Sequence, residues 1–381
     1  RPKVEAVQIL VTGASGYVGG RLVPRLIAAG HRVRCLARNP AKLTRYDWHG
    51  DVDVVQGDVT DAVSLDTALA GCDAAYYLVH SMDGTGDFAA RDRQAAESFR
   101  DAAARAGIGR IAYLGGLGDD EAGLSKHLAS RHEVGAILAV GPTPVTELRA
   151  AVIIGSGSVS FEMIRYLTEV LPAMITPRWL ETRCQPIAIR DVLEYLVAVL
   201  DDDDGDHVYE IGGADVLTYR DMMQDYAAVA GLPRRIIVPV PVLTPRLSSL
   251  WIGLVTPLPT GVARPLVDSL RHEVVVHDDL AAARFGITAT PYRESVARAL
   301  ERSDALRVPT RWSDAGRGPA GTIPGDPSWA GGTLFTDRRT VSSSAPAEDL
   351  FWAFARVGGD VGYYGMGWAW RLRGLIDTLV G

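Results

Sequence analysis

The sequence predicts an α/β fold: a doubly wound parallel sheet with a small second lobe, followed by part of an α+β domain. Three observations predict it. A short apolar run, Ile9 to Val11, breaks into the turn Thr12-Gly13-Ala14-Ser15-Gly16-Tyr17-Val18-Gly19, which opens into a helical pattern. Strand-length apolar runs then alternate with helical stretches as far as Gly155, the signature of βαβ units. Ala74 to Val79 is apolar almost throughout, as a strand covered on both faces must be.

In the opening turn each glycine has a separate task. Gly13 lets the chain turn after the strand, Gly16 leaves room for a pyrophosphate beside the backbone, and Gly19 lets the helix pack closely on the sheet. The N–H groups and positive dipole end of that helix receive the phosphate charge. Ser15, Tyr17 and Val18 share the corner, so the setting is that of a Rossmann-type dinucleotide site. Val18, Leu22 and Leu26 continue the helix. Pro24 falls inside it, and a kink or local break is expected there because proline lacks an N–H and crowds the carbonyl of Gly20. Gly30 ends the helix, and His31 to Ala37 reads as a second strand that ends at Arg38. That position, about 20 residues past the glycines, sets cofactor choice: a carboxylate holds the ribose 2′-OH of NAD, an arginine the 2′-phosphate of NADP. No Asp or Glu lies between Ile9 and Arg45. The expected cofactor is therefore NADP (NADPH) in preference to NAD, with a solvated loop charge as the other reading of Arg38.

Val52 to Gln56 is a third strand, followed by Gly57-Asp58-Val59-Thr60-Asp61. Asp58 and Val59 suit an adenine edge and face, or Asp58 helps to start the next helix, as Thr60 and Asp61 do. The strand Ala74 to Val79, with Leu78 near its end, leads into His80-Ser81-Met82, over the nicotinamide half of a bound cofactor. Arg91 to Ala106 reads as a helix, Arg110 to Leu114 as a strand ending in Gly115-Gly116, and Val152 to Ile154 as the sixth strand. Gly155-Ser156-Gly157-Ser158 is a loop placed to line a pocket. Phe161, Ile164, Leu167 and Leu171 form a helical core stripe. A helix from Asp191 to Leu200 precedes Asp201 to Asp204 and Asp206, which lack calcium-loop spacing and read as a solvated loop. His207 to Ile211 and Arg271 to Val276 read as strands, Thr218 to Ala230 and Tyr292 to Leu300 as helices.

At 381 residues more than one domain is expected. The chain is 47% hydrophobic and 22% charged with a net charge of -7, which argues against a nucleic-acid surface. The three cysteines, Cys35, Cys72 and Cys184, have no CxxC spacing, which suits a reducing cytoplasm and no metal. The first residues carry no signal-peptide core, and no apolar run is long enough to span a bilayer. From 239 to 265 prolines stand among Leu, Val and Trp251. This stretch reads as a flap over the pocket, as a surface for a partner or a membrane face, or as a buried connection. Residues 307–327 suit a linker rich in Gly, Pro and Asp. Beyond it Leu334 to Val341 reads as a strand and Pro346 to Val357 as a helix, amid Trp312, Trp329, Trp352, Trp368 and Trp370. These aromatics line a ligand cavity, fill a core, or pack on the first domain.

The Thr12-Gly13-x-x-Gly16-x-x-Gly19 turn and the Asp58-Val59 pair resemble the short-chain dehydrogenase/reductase superfamily, in its atypical NmrA-like branch. Tyr77-Leu78-Val79-His80-Ser81-Met82, Tyr113-Leu114-Gly115-Gly116-Leu117, Pro186-Ile187-Ala188-Ile189-Arg190-Asp191-Val192 and Tyr209-Glu210-Ile211-Gly212-Gly213 resemble NAD(P)H-binding proteins with a carboxyl-terminal DUF2867 domain. The resemblance implies a reductase domain over 1–306, with its substrate lobe mostly within 155–306, and a partial helix-grip-like domain over 328–381. The superfamily's catalytic set is a Ser and a Tyr-x-x-x-Lys, and this chain departs from it. The strand that would deliver the Ser ends in Gly115-Gly116, and the helix reads His127-Leu128-Ala129-Ser130-Arg131-His132-Glu133. Aligned on Glu133, His127 stands where the Tyr belongs and Arg131 where the Lys belongs. A histidine is able to serve as general acid, and an arginine to hold a ribose hydroxyl without tuning a pKa. The bland reading is a solvated helix face pairing with Glu133. Two functions follow: an NADPH-dependent reductase of a hydrophobic small molecule, or a dinucleotide-binding sensor or scaffold that never turns over.

Overall fold

The computed structural model describes residues 6–80, 88–119, 123–202, 204–240, 268–304 and 308–311, with short pieces between 340 and 374. A parallel seven-stranded sheet is built from β1 (Gln8–Thr12), β2 (Arg32–Ala37), β3 (Asp53–Gln56), β4 (Ala74–Tyr77), β5 (Arg110–Gly116), β6 (Val145–Ala150) and β11 (His207–Ile211). Its order is β3-β2-β1-β4-β5-β6-β11, so the chain reverses direction across the sheet between β1 and β4. In doubly wound sheets that switch point opens the binding crevice at the strands' carboxyl ends.

Alternation along the strands covers both faces. Ile9 and Val11 join Val33, Cys35, Tyr76 and Leu148 in a core closed by α1 (Gly19–Ala28) and α6 (Ile189–Ala198). Leu10, Ala75, Tyr77 and Ile111 face a second core closed by α2 (Ala62–Leu69), α3 (Phe88–Ala106) and α4 (Lys126–Ala139). A third cluster joins α5 (Val159–Val170), α7 (Tyr219–Val229) and α9 (Tyr292–Asp304) through Phe161, Ile164, Met222, Tyr226, Tyr292 and Val296. Around it lie the short pairs β7 (Ile153–Ile154) with β10 (Ile187–Ala188) and β9 (Arg183–Cys184) with β12 (Leu217–Thr218). A third pair joins β8 (Ala173–Pro177) with β13 (Ile236–Val240).

Four expectations need correction. The sixth strand of the sheet is Val145–Ala150, and Ile153–Ile154 is a separate pair with β10. Glu147 and Arg149 make the run look too charged for an inner strand, but Arg149 Nε donates to Glu147 Oε1 at 3.0 Å and Gly115 and Gly135 clear space for the buried carboxylate. The aspartate run is not wholly solvated. The Asp202 carboxylate is buried and held by Arg284 at 2.8 Å, with Arg284 on α8 (Leu280–Phe285), while Asp206 Oδ1 accepts the Val145 N–H at 2.7 Å. Arg271 to Val276 is no strand; Val274 makes one isolated bridge to Cys184.

The fourth correction concerns Pro24, which leaves α1 unbroken from Gly19 to Ala28. The carbonyl of Gly20, four residues before it, receives the Trp48 indole N–H at 3.2 Å instead. Trp48→Phe should therefore cost about 1–3 kcal/mol by leaving that carbonyl unsatisfied. Pro24→Ala in the same background should recover most of the loss by restoring the helical donor, and urea unfolding of the two variants measures both. Equal losses with and without Pro24 would remove the explanation.

The prolines from 241 to 265, the linker from 312 onward, and most of 328–381 lie outside the described residues, whereas 308–311 of the expected linker are described and Thr310 is buried against Arg21. Of the last region α10 (Ala347–Ala355) is described, on the predicted helix, with Phe351, Trp352 and Phe354 exposed. Among the described residues no helix is long and apolar enough to cross a membrane.

Candidate functional site

The crevice starts at the carboxyl end of β1. Gly13 has φ +73°, and a Cβ there would lie 2.5 Å from the Leu78 carbonyl oxygen. Gly19 is pressed on the turn itself: its Cβ would meet the Gly13 carbonyl oxygen at 2.3 Å. Gly16 N–H donates to the Gly13 carbonyl at 2.9 Å and closes the turn. Val18 caps α1 in helical conformation. Its side chain makes no cap bond to the helix start, and amides at a helix start suit a pyrophosphate. Ser15 and Val18 line it half-buried. Tyr17 contributes backbone: its ring lies under the Arg21 guanidinium, 4.6 Å from the centroid, and its hydroxyl reaches Gly155. Burial pushes the Tyr17 phenol up to about 12.

On the other side of β1, Arg38 stands exposed just past β2. Asp58 and Val59 stand half-buried past β3. Asp58 Oδ1 accepts the Thr60 N–H at 2.9 Å and the Thr60 hydroxyl at 2.8 Å, while Asp61 caps α2. Sequence reasoning passed over Arg45 and Tyr46. The Tyr46 hydroxyl donates to the Ser15 carbonyl at 3.3 Å, and Arg45 lies over the Tyr46 ring and donates to its hydroxyl. A second guanidinium thus stands beside the glycine corner.

At the carboxyl end of β4, Thr12 Oγ1 ties β1 to β4, donating to the Tyr76 carbonyl and accepting the Leu78 N–H. Just beyond, His80 Nε2 lies 3.1 Å from His127 Nδ1, so the structure brings the two predicted histidines together from β4 and α4. His80 Nδ1 lies 3.0 Å from Asp92 Oδ2 on α3. Burial, chiefly, lowers the His80 pKa. Burial, with His80 and Arg131 adding, holds His127 well below the ordinary value. Burial thus opposes the charged form of His127, which moves it away from the titrating acid that an unperturbed histidine suggests. Asp92 was missed because a carboxylate within a helical pattern reads as solvent-facing.

Arg131 lies one turn beyond His127 on α4 and donates through Nη2 to the Leu114 carbonyl. Its Nε is buried with no hydrogen-bond partner, which leaves a donor for a sugar hydroxyl. Glu133 pairs with Arg93 at 2.7 Å, so the solvated His127–Arg131–Glu133 face does not form. The predicted pocket loop 155–158 serves structure: Ser158 caps α5, and the Ser156 carbonyl accepts from Arg21 at 2.6 Å.

A family model described as NAD(P)H-binding matches residues 13–150. The 3 beta-hydroxysteroid dehydrogenase/Delta 5-->4-isomerase of Mycobacterium tuberculosis is 33% identical over 119 residues, 29% of this chain and 31% of that protein. The (4-alkanoyl-5-oxo-2,5-dihydrofuran-3-yl)methyl phosphate reductase of Streptomyces griseus is 40% identical over 113 residues, 30% of this chain and 36% of that one. The matched stretch spans about a third of the length of these relatives. Among solved structures, Citrobacter sp. triphenylmethane reductase complexed with NADP(H) superposes with a TM-score of 0.62 at 22% identity, covering 77% of this chain and 99% of that one. NADPH-dependent quinone oxidoreductase of Escherichia coli gives 0.61 at 21% identity, with the same coverage. The Bordetella bronchiseptica enzyme WbmG in complex with NAD gives 0.62 at 17% identity, covering 82% of this chain and 98% of that one. On this geometry and these matches, the chain carries an NAD(P)H-binding domain on a Rossmann-type fold.

Proposed function

We propose that the protein is an NADPH-dependent reductase of a hydrophobic small molecule carrying a carbonyl, enone or quinone. The observation that carries this reading is convergence. An uncapped helix start and two linked histidines meet at one edge of the sheet, at its switch point. Arg38, with Arg45 near the same corner, supports the 2′-phosphate reading. Leu124 and Leu128, packed against Gly118, give the entry to α4 an apolar wall. The quinone, dye and steroid in the names of the similar proteins are all hydrophobic small molecules, which supports that part of the reading.

The glycine corner binds pyrophosphate through backbone N–H groups and the dipole of α1. Arg131 Nε holds a ribose hydroxyl. When bound, the reduced nicotinamide supplies the electron pair and hydrogen that the substrate carbon takes up. His127 provides the proton at the substrate oxygen. Its low basicity favours proton release, but as a neutral imidazole it must be reloaded from another group. A sensor that binds NADPH without turnover is the second reading, and the missing Ser and Tyr-x-x-x-Lys favour it.

Thermal shifts with NADPH and NADH, together with NADPH consumption on menadione and a panel of enones, test the proposal. NADPH should stabilise the protein more than NADH, and Arg38→Ala should weaken NADPH about tenfold to a hundredfold while leaving NADH unchanged. Stabilisation by neither nucleotide would defeat both readings; stabilisation without turnover would leave the sensor.

A further inference from the structure

We propose that Asp92, His80 and His127 form a proton relay that loads His127 through its Nδ1 and releases a proton from its Nε2. This deepens the reductase reading and rests on it. The three groups come from three elements: Asp92 from α3, His80 from the exit of β4, His127 from α4. The contacts run in one line, Asp92 Oδ2 to His80 Nδ1 at 3.0 Å and His80 Nε2 to His127 Nδ1 at 3.1 Å. Asp92 is 4% exposed, and Ser130 Oγ lies 3.4 Å from the same carboxylate oxygen.

The geometry dictates where protons sit. A carboxylate only accepts, so it fixes His80 as the Nδ1–H tautomer. The His80 Nε2 lone pair then accepts from His127 Nδ1–H, and His127 Nε2 is left as a bare base. A proton taken up from solvent at His127 Nε2, before the substrate binds, reverses the line, because His127 Nδ1 then passes its own proton to His80 Nε2. His80 carries both protons against Asp92, its Nε2–H donates to His127 Nδ1, and His127 Nε2–H becomes the donor. When the substrate oxygen takes that Nε2 proton, His127 Nδ1 takes the proton from His80 Nε2, and His80 returns to its resting tautomer. One proton leaves the relay, one N–H bond breaks at each imidazole, and one forms at His127 Nδ1.

Such a line eases the difficulty of a histidine beside Arg131: the guanidinium also disfavours a charge on His80, but there the hydrogen-bonded Asp92 carboxylate opposes it. A lone His127 would have to carry its charge next to a guanidinium. Here the charge rests on His80, against Asp92, until the proton is used. Among the described residues, the charged and titratable groups around the pair are Asp92 from α3 and Arg131 from α4, with Tyr77 of β4 and Tyr113 of β5 in electrostatic reach of Asp92. Burial pushes both phenols far up, so neither competes as an acid near neutrality. Asp92 and His80 are positioning residues that act through His127.

Imidazole nitrogen NMR on the full chain, from pH 5 to 8.5, tests the relay without turnover. At pH 8 both histidines should be Nδ1–H tautomers, the minority form of a free imidazole. On acidification the two should respond together at one midpoint. Asp92→Asn should move that midpoint down by about one pH unit or more and release His127 to the Nε2–H tautomer. His80→Gln should change the His127 tautomer. Two Nε2–H tautomers titrating independently in the unsubstituted protein would overturn the relay, even if neither variant folds. With menadione as oxidant, Asp92→Asn should lower kcat about tenfold to a hundredfold with KM for NADPH unchanged. Absence of menadione or enone reduction would count against the reductase reading, while the tautomers alone decide the relay.

Discussion

Gly19→Ala should lower the folding free energy by about 3 kcal/mol and remove stabilisation by NADPH. The added methyl would sit 2.3 Å from the Gly13 carbonyl oxygen and 2.8 Å from its carbon. Both are backbone atoms of a turn closed by its own hydrogen bond, so no side chain can swing away to make room. Either the first turn of α1 moves off β1 or the Gly13 peptide rotates, and either motion disperses the N–H groups proposed to hold the pyrophosphate. Gly13→Ala should act similarly, adding left-handed strain of about 1–2 kcal/mol to a contact of 2.5 Å with the Leu78 carbonyl oxygen. Gly30→Ala is the control. Its φ is +94°, but nothing lies within 4 Å of its Cβ, so it should lose the strain energy and keep the full NADPH response. Melting curves with and without NADPH read all three. A Gly19→Ala protein that melts like the unsubstituted chain and still responds to NADPH would show that close packing in this turn is not what builds the site.

The parts of this fold that were legible in the sequence are those whose cause is local. Ile9–Val11 and Ala74–Tyr77 are apolar because both faces of the strand are covered, and Gly13 and Gly19 are glycine because a Cβ has no room. What was illegible depends on partners distant in sequence. The inner strand Val145–Ala150 was hidden by Glu147 and Arg149, which neutralise each other only once Gly115 and Gly135 make space. The helix through Pro24 needed Trp48, 24 residues downstream, to satisfy a carbonyl. In the site, His80 and His127 were singled out separately, one by strand end and one by alignment. Their contact, and the Asp92 behind them, exist only because α3 and α4 pack side by side over β4 and β5. No periodicity in the sequence encodes which face of α3 meets which histidine.

Distant partners also govern the chain's tie to its own carboxyl-terminal part, and there the next largest loss is expected. Arg21 on α1 is 6% exposed. Its Nε donates to Thr310 Oγ1 at 2.8 Å, and its Nη2 donates to the Ser156 carbonyl at 2.6 Å and the Thr310 carbonyl at 3.2 Å. Thr310 Oγ1 in turn donates to the Tyr17 carbonyl at 2.8 Å. One guanidinium thus pins residues 308–311 and the loop before α5 to the first turn of α1. Arg21→Met keeps the length and apolar stem of the side chain but strands two buried carbonyls, a loss of about 2–4 kcal/mol. Thr310→Val, nearly isosteric, removes the hydroxyl that links Arg21 to Tyr17 and should cost about 1–3 kcal/mol. Because the two share one network, the double variant should lose less than the sum, by about 1 kcal/mol or more. Urea unfolding of the four proteins measures this coupling. Additive losses would mean that Arg21 and Thr310 stabilise the fold independently, and that the segment 308–311 is not held to the glycine turn through this guanidinium.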